Sequence, residues 1–306
     1  MPTNGSIQLI PGPEVNREKW DACLDRSTNG LLYAYSFYLD RMAIHWDALV
    51  LDDYAAVMPL TGNRKWRMDY LYQPFSCASL GVFGQAPSSH LIEEFLAAIP
   101  RSYRYIDISL NTGNLVSDEL PGLRRRRNYT LSLSQKYELM QAGFSDNHSR
   151  NLRKAAQQDY TISHPPAKAI IAIARQQMKQ AGAVKEDDYQ RFENLCQYLH
   201  AEGAAETYAV INRAHEMMAG AIFFHWRKRA YYILAGNTAG GKLGGASHAL
   251  VDAFIRNQAG SGIVLDFEGS DVPGIARFYD GFGATEETYP ALRQNRMPAV
   301  IRWLKP

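Results

Sequence analysis

The feature that most constrains this chain is an order of elements that it spells twice. In the first half, "WDALVLDDYAAVMPLTG" and "KWRMDYLYQPF" alternate apolar and polar residues about an Asp-Asp and a Gly-Asn pair, which predicts an antiparallel meander. A glycine-containing turn, an amphipathic helix over His90 to Ile99 and the strand "RYIDISLN" follow. In the second half, "ETYAVINRAHEMMAGAIFFHWRKRAYYILAGN" predicts three alternating strands. After them come a glycine-rich stretch, a helix over Ser247 to Asn257 and the strand "GIVLDFEGS". Residue identities match weakly between the halves, but the order matches well, so the chain is expected to be a duplicated α/β unit. The division is read as 1-134 and 135-306, two units with mixed sheets sharing an interface, without a low-complexity linker. A helix over Tyr137 to Gln157, broken near Gly143, opens the second.

Length agrees, since 306 residues exceed one domain of about 100–200. Hydrophobic content of 46% and charged content of 21% describe a folded chain. No apolar stretch approaches the roughly 20 residues that cross a bilayer, and Met1 to Pro13 has no signal-peptide pattern, so a cytoplasmic location is expected. Cys23, Cys77 and Cys196 are far apart and form no CxxC, so they are expected to be buried small hydrophobes, with no metal site. A net charge of +2 does not by itself announce nucleic-acid binding. Charge is locally uneven: Arg124 to Arg127 is an unbroken run, and Arg150, Arg153 and Lys154 fall at i, i+3 and i+4 on one helical face. That face can grip phosphates or simply be solvated.

"GGKLGGASHAL" raises the chemical question. Glycines between a strand and a helix start let backbone N–H groups approach an anion at the positive end of the helix dipole. Its spacing is neither a Walker loop nor G-x-G-x-x-G, and a mobile turn is an equal alternative. Asp266 and Glu268 sit two apart on a predicted strand and so share a face; either is a candidate base, or one caps Ser270 while the other is solvated. Asp271 is an N-cap candidate before Pro273, and His248 a candidate for orienting substrate, acting as a base or simple surface polarity.

Gly241 to Ala246 is similar to the Q/R-x-x-G-x-G/A pyrophosphate loop of the GNAT acyltransferases, with Gly244 and Ala246 in the matching places and Gly241 where the loop has Gln or Arg. "SDVPGIARFYDGFGATEETY" looks like that family's closing segment, a helix carrying a tyrosine before a Gly-Phe-Gly turn. The two-unit layout, "HSRNLRKAAQQDYTI" and "GGASHAL" resemble the Fem-type peptidyltransferases and their acyltransferase relatives, which are tandem GNAT folds. The resemblance implies an N-acyltransferase that moves an acyl or aminoacyl group from a phosphate-bearing donor, acyl-CoA first and aminoacyl-tRNA second, to a small-molecule or peptide amine. It implies that Gly241, Lys242, Gly244, Gly245, Ala246 and Ser247 hold the donor, that Tyr279 matches the family's proton-donating tyrosine, that Glu268 takes the amine proton directly or through water, and that a backbone N–H around Leu234 to Gly236 holds the oxyanion. A non-catalytic binding module on the same fold, or a nucleic-acid binder using the two arginine clusters, are the alternative readings.

Overall fold

A computed structural model of the protein describes residues 5–65, 67–178 and 184–298. These fall into two compact units, Met1–Arg126 with Thr288–Pro306, and Arg127–Glu287. Against the division at 134/135, the closing segment from Thr288 groups with the first unit.

The first unit opens with β1 (Ile7–Ile10), α1 (Arg17–Arg26) and α2 (Ser36–Met42). The meander of β2 (His45–Leu51), β3 (Ala56–Lys65) and β4 (Met68–Tyr72) is antiparallel, with β1 added beside β2. The Gly62-Asn63 pair, expected as a turn, lies inside β3 opposite Leu71 and Tyr70. After β5 (Phe83–Gly84), α3 (Ser89–Ala97) carries the chain to β6 (Tyr103–Ser109), parallel to β4. Ile92, Phe95 and Leu96 of α3 are buried against Leu49, Met58 and Leu71 in this unit's core.

β7 (Leu123–Ser132) carries the chain into the second unit, followed by α4 (Tyr137–Ala142), α5 (Asp146–Ala156), β8 (Thr161–Ser163), α6 (Ala167–Met178) and α7 (Glu186–Ala201). The second meander is β9 (Ala205–Ile211), β10 (Met217–Trp226) and β11 (Arg229–Asn237). Next come α8 (Ala239–Gly244), α9 (Ala246–Gln258) and β12 (Val264–Asp266), which runs parallel to β11 and antiparallel to β7. α10 (Pro273–Asp280) precedes β13 (Thr285–Asn295), whose Ala291 to Asn295 pair antiparallel with β6 of the first unit. Each unit thus contains a three-strand meander, a helix and a strand parallel to the last of the three, as the repeated order predicts.

β10 shows why the second sheet is covered on both faces. Ala219 to Phe224 are all buried. Strand geometry sends alternate residues to opposite faces. Phe223 stacks on Phe254 of α9, centroids 3.8 Å apart, while Phe224 meets Phe192 of α7 at 5.8 Å. The α4/α5 break falls at Gly143 as expected, and Ser145 caps α5 by accepting from the His148 N–H. Cys23, Cys77 and Cys196 are buried. Among the described residues no helix is long and apolar enough to cross a membrane.

Candidate functional site

In the second unit the sheet opens between β11 and β12. β12 reaches β11 only at Arg229, Ala230 and Tyr231, and then ends at Asp266. Glu268 (φ 65°) and Gly269 (φ 71°) turn the chain away in left-handed conformations. On the other side of β11, Ile222 faces Leu234 and Phe223 faces Tyr232, which leaves Ile233 as an extra residue. Such a bulge bends its strand and increases the local twist, so it helps to part β11 from β12. The result is a cleft of about 600 Å³. Its wall is the Ile233 to Gly236 segment, its floor Phe267, Phe278 and Tyr279, and its rim Lys242, Ser247 and Glu268. The corresponding interval of the first unit is bridged by its own chain. There Gln73 Oε1 accepts from the Ser109 N–H at 3.0 Å, and the Leu80 N–H donates to the Ser109 carbonyl at 2.8 Å.

Tyr279 is held by packing. It stacks on Phe267 (4.6 Å, 20° between planes), with Tyr129 at 6.0 Å and Tyr232 at 6.2 Å. Burial, then the neighbouring Tyr232, Glu268 and Asp266, push its phenol well above the usual tyrosine range. It therefore keeps its proton at neutral pH.

The two carboxylates do not share a strand face. Asp266 is the last residue of β12, 5% exposed, and its Oδ2 takes the Arg229 guanidinium at 2.6 Å. Its Oδ1 accepts from the Glu268 N–H at 2.9 Å. Glu268 lies beyond the strand end, in a turn stabilised by that bond, and lines the cleft. Strand alternation fails because the extended backbone stops at Asp266, four residues before the end of the expected strand "GIVLDFEGS". Asp271 is not a cap: α10 starts from Val272, and Asp271 Oδ1 accepts from the Arg127 N–H at 3.3 Å.

The glycine stretch folds as a helix rather than an open loop. Thr238 caps α8 by accepting from the Gly241 N–H at 2.9 Å, and Gly245, at φ 76° and ψ 18°, ends α8 and begins α9. A Cβ on Gly241 would run into the Met218 carbonyl, and one on Gly245 into the Asn151 carbonyl of α5. Gly244 lies against the Tyr160 hydroxyl. These glycines, with the fully buried Ala246, let α8 and α9 pack closely, while Lys242 and Ser247 line the cleft. Ser247 Oγ accepts from Asn237 Nδ2 at 2.9 Å, a contact between the end of β11 and the start of α9 that sequence patterning does not signal. Gly245→Ala is expected to cost about 1–2 kcal/mol from the left-handed backbone alone, and more from the Asn151 contact, read as a lower denaturant midpoint.

His248 lines the cleft from the first turn of α9 and meets His148 edge to face at 4.6 Å. Burial and then His148 push its imidazole down to about 4. His148, missed from sequence although Ser145 three residues earlier marks a cap, is 2% exposed. Its Nε2 lies 2.8 Å from the Phe278 carbonyl and its Nδ1 3.0 Å from Ser145 Oγ, an arrangement that ties α5 to α10. Burial lowers its pKa too. Both folded imidazoles resist a proton that the unfolded chain takes up near pH 6.5. Stability is therefore full above pH 6.5 and is expected to fall progressively as pH drops toward 4. Urea unfolding at pH 7.5 and 5 should show this fall, and His248→Gln should make it shallower.

The basic clusters lie elsewhere. In the arginine run, Arg125 pairs with Asp118 at 2.6 Å, Arg127 lies 3.7 Å from Glu286, and Arg126 stands over the Tyr289 ring. Arg150, Arg153 and Lys154 are exposed on α5, and none lines the Tyr279 cleft.

No protein-family profile matches the chain, and no curated protein matches its sequence. Solved structures do match it. FemX superposes with a TM-score of 0.64 at 12% identity, over 92% of this chain and 96% of that one. A tandem GNAT protein from the clavulanic acid biosynthesis pathway matches with a TM-score of 0.53 at 10% identity, over 96% of this chain and 100% of that one. The fold is a tandem GNAT. L-PGS from Bacillus licheniformis also shares it, with a TM-score of 0.51, 15% identity, and 94% and 95% of the two chains covered. At these identities the likeness establishes the GNAT fold and its duplication, as the repeated order and the closing segment imply.

Proposed function

We propose that the second unit is an N-acyltransferase whose donor enters the β11/β12 cleft and whose acceptor is an amine. The observation that carries this reading is the edge of β11 from Tyr232 to Gly236, which β12 does not reach and with which no other strand among the described residues pairs on that side, facing a buried, protonated Tyr279 across a cleft rimmed by Lys242 and Ser247. Similarity of fold to FemX and to a tandem GNAT protein supports it. An amine nitrogen attacks the acyl carbon of a thioester or ester. A backbone N–H of the Leu234 to Gly236 segment stabilises the oxyanion that forms. As the new C–N bond replaces the C–S or C–O bond, Tyr279 gives its proton to the leaving group, and the amine proton passes to water ordered by Glu268. Asp266, engaged by Arg229, stays out of the proton path.

Acyl-CoA is the proposed donor, with Lys242 and the Ser247 end of α9 toward its phosphates. Aminoacyl-RNA is a second reading, favoured by one observation: Gly241, Gly244 and Gly245 are spent on packing rather than held open for a pyrophosphate. Thermal unfolding with acetyl-CoA, longer acyl-CoAs and free coenzyme A tests the two. A ligand at 100 times its Kd adds about 2.7 kcal/mol, so an upward shift lost in Ser247→Glu supports the first. No shift with these, and a shift with a 3′-aminoacyl adenosine, moves the assignment to the second.

A further inference from the structure

The second unit contains another and larger cleft, of about 910 Å³, on the α5 side of α9. It is independent of the acyltransfer reading, which uses none of its residues. Small side chains create it: Ala156 on α5 and Ala249 and Ala253 on α9 leave space where two helices would otherwise close over each other. Leu152, Tyr160 and Ile162 form apolar sides, and Ile162 remains 40% exposed.

Its charge is one-sided. Arg153 and Arg256 line it from opposite helices. The carboxylate that lines it, Asp252, is already taken by the Tyr137 hydroxyl at 2.6 Å and by Arg256 at 3.5 Å. Arg256 uses one nitrogen for Asp252 and for the Tyr137 hydroxyl, while Arg153 makes a 3.4 Å bond from Nε to the Ser149 carbonyl, which leaves its fork of terminal N–H groups toward solvent. Arg150 and Lys154 add positive charge on the same helix. Planar guanidinium forks match phosphate geometry. Polar groups at its exposed rim, His164, whose Nδ1 lies against the Thr207 carbonyl, and Asn257, whose Nδ2 donates to the Tyr208 hydroxyl at 2.9 Å, suit the edge of a polar ring better than an alkyl tail.

We infer that this cleft binds a phosphate ester carrying a flat ring, with Arg153 and Arg256 on the phosphate and the ring between the alanine floor and Tyr160. The ligand is either free or a nucleotide within an RNA. Calorimetric titration with adenosine 5′-monophosphate, with adenosine, inorganic phosphate and a short oligoribonucleotide as comparisons, tests the assignment on the full chain.

Adenosine monophosphate should bind at least tenfold more tightly than adenosine or inorganic phosphate. Arg153→Gln, an exposed change that spares the core, should weaken it at least tenfold, and Ala156→Trp, which fills the cleft from an exposed position, should abolish it. Ser247→Glu, in the other cleft, should leave it unchanged. Tighter, more steeply salt-dependent binding of the oligonucleotide identifies RNA as the source, and equal or weaker binding identifies the free ester. Absence of binding at millimolar concentration, equal binding of either fragment, or binding that survives both substitutions in folded protein overturns the proposal.

Discussion

Tyr279→Phe is expected to lower turnover by about 10²–10⁴-fold, the range for loss of a positioned general acid, while leaving donor affinity within about twofold. In barrier height this is about 2.7–5.4 kcal/mol, at 1.36 kcal/mol per factor of ten. The two effects separate because the ring and the hydroxyl do different work. The ring is held by stacking on Phe267 and by contacts with Tyr129 and Tyr232, all of which phenylalanine keeps. The hydroxyl carries the proton for the leaving group and nothing else in the scheme. Steady-state kinetics with a thioester donor, together with donor affinity from unfolding shifts, supply both numbers. Retained turnover would remove Tyr279 from the mechanism, whereas equal losses of affinity and turnover would make it a binding contact. The defect should also be insensitive to pH between 6 and 9, because burial keeps the phenol protonated throughout that interval.

What was legible in the sequence is what local pattern controls. The apolar runs of β10 and β11 follow from burial on both faces, and the spacing of Leu250, Val251, Phe254 and Ile255 in α9 from one face meeting a core, so the duplicated order could be read directly. That "RFYDGF" buries its rings was legible for the same reason, and it does so around Phe267 and His148, whereas its tyrosine was singled out only by the resemblance to the GNAT closing segment. Features that depend on a partner distant in sequence were not legible. Glycine composition alone reads as a loop, yet Gly241 and Gly245 are fixed by the Met218 and Asn151 carbonyls of other elements. Nothing at Ile233 marks it as the extra residue of a bulge, because bulges arise from register with a neighbouring strand. Asp266 and Glu268 look like alternating strand positions until the pairing of β12 runs out. The arginine run looked like a patch until Asp118 and Glu286 were placed beside it.

The pair Arg229–Asp266 gives the second large effect. Arg229→Met is expected to destabilise the protein by about 3–5 kcal/mol, the cost of leaving a buried carboxylate without its partner. The exposures decide this magnitude: the side chains of Asp266 and Arg229 are 7% and 30% exposed, so the carboxylate cannot recover by turning into water. The same carboxylate accepts the Glu268 N–H, so the turn that presents Glu268 to the cleft shifts with it. Removing both charges, in Arg229→Met with Asp266→Leu, should recover most of the lost stability, since a buried ion pair and a well-packed apolar pair of similar volume are often close in energy. Denaturant unfolding of the two single variants and the double variant closes the cycle, and a loss below about 1 kcal/mol for Arg229→Met would mean that the pair behaves as a surface ion pair. The cycle also separates structure from chemistry at this edge of the cleft. If Asp266 only holds the turn, the refolded double variant keeps turnover to within the effect of a displaced Glu268, and Glu268→Gln then lowers it further. If instead the double variant is stable but inactive and Glu268→Gln is not, the amine proton goes to Asp266, and Arg229 is the residue that sets when that carboxylate can accept it.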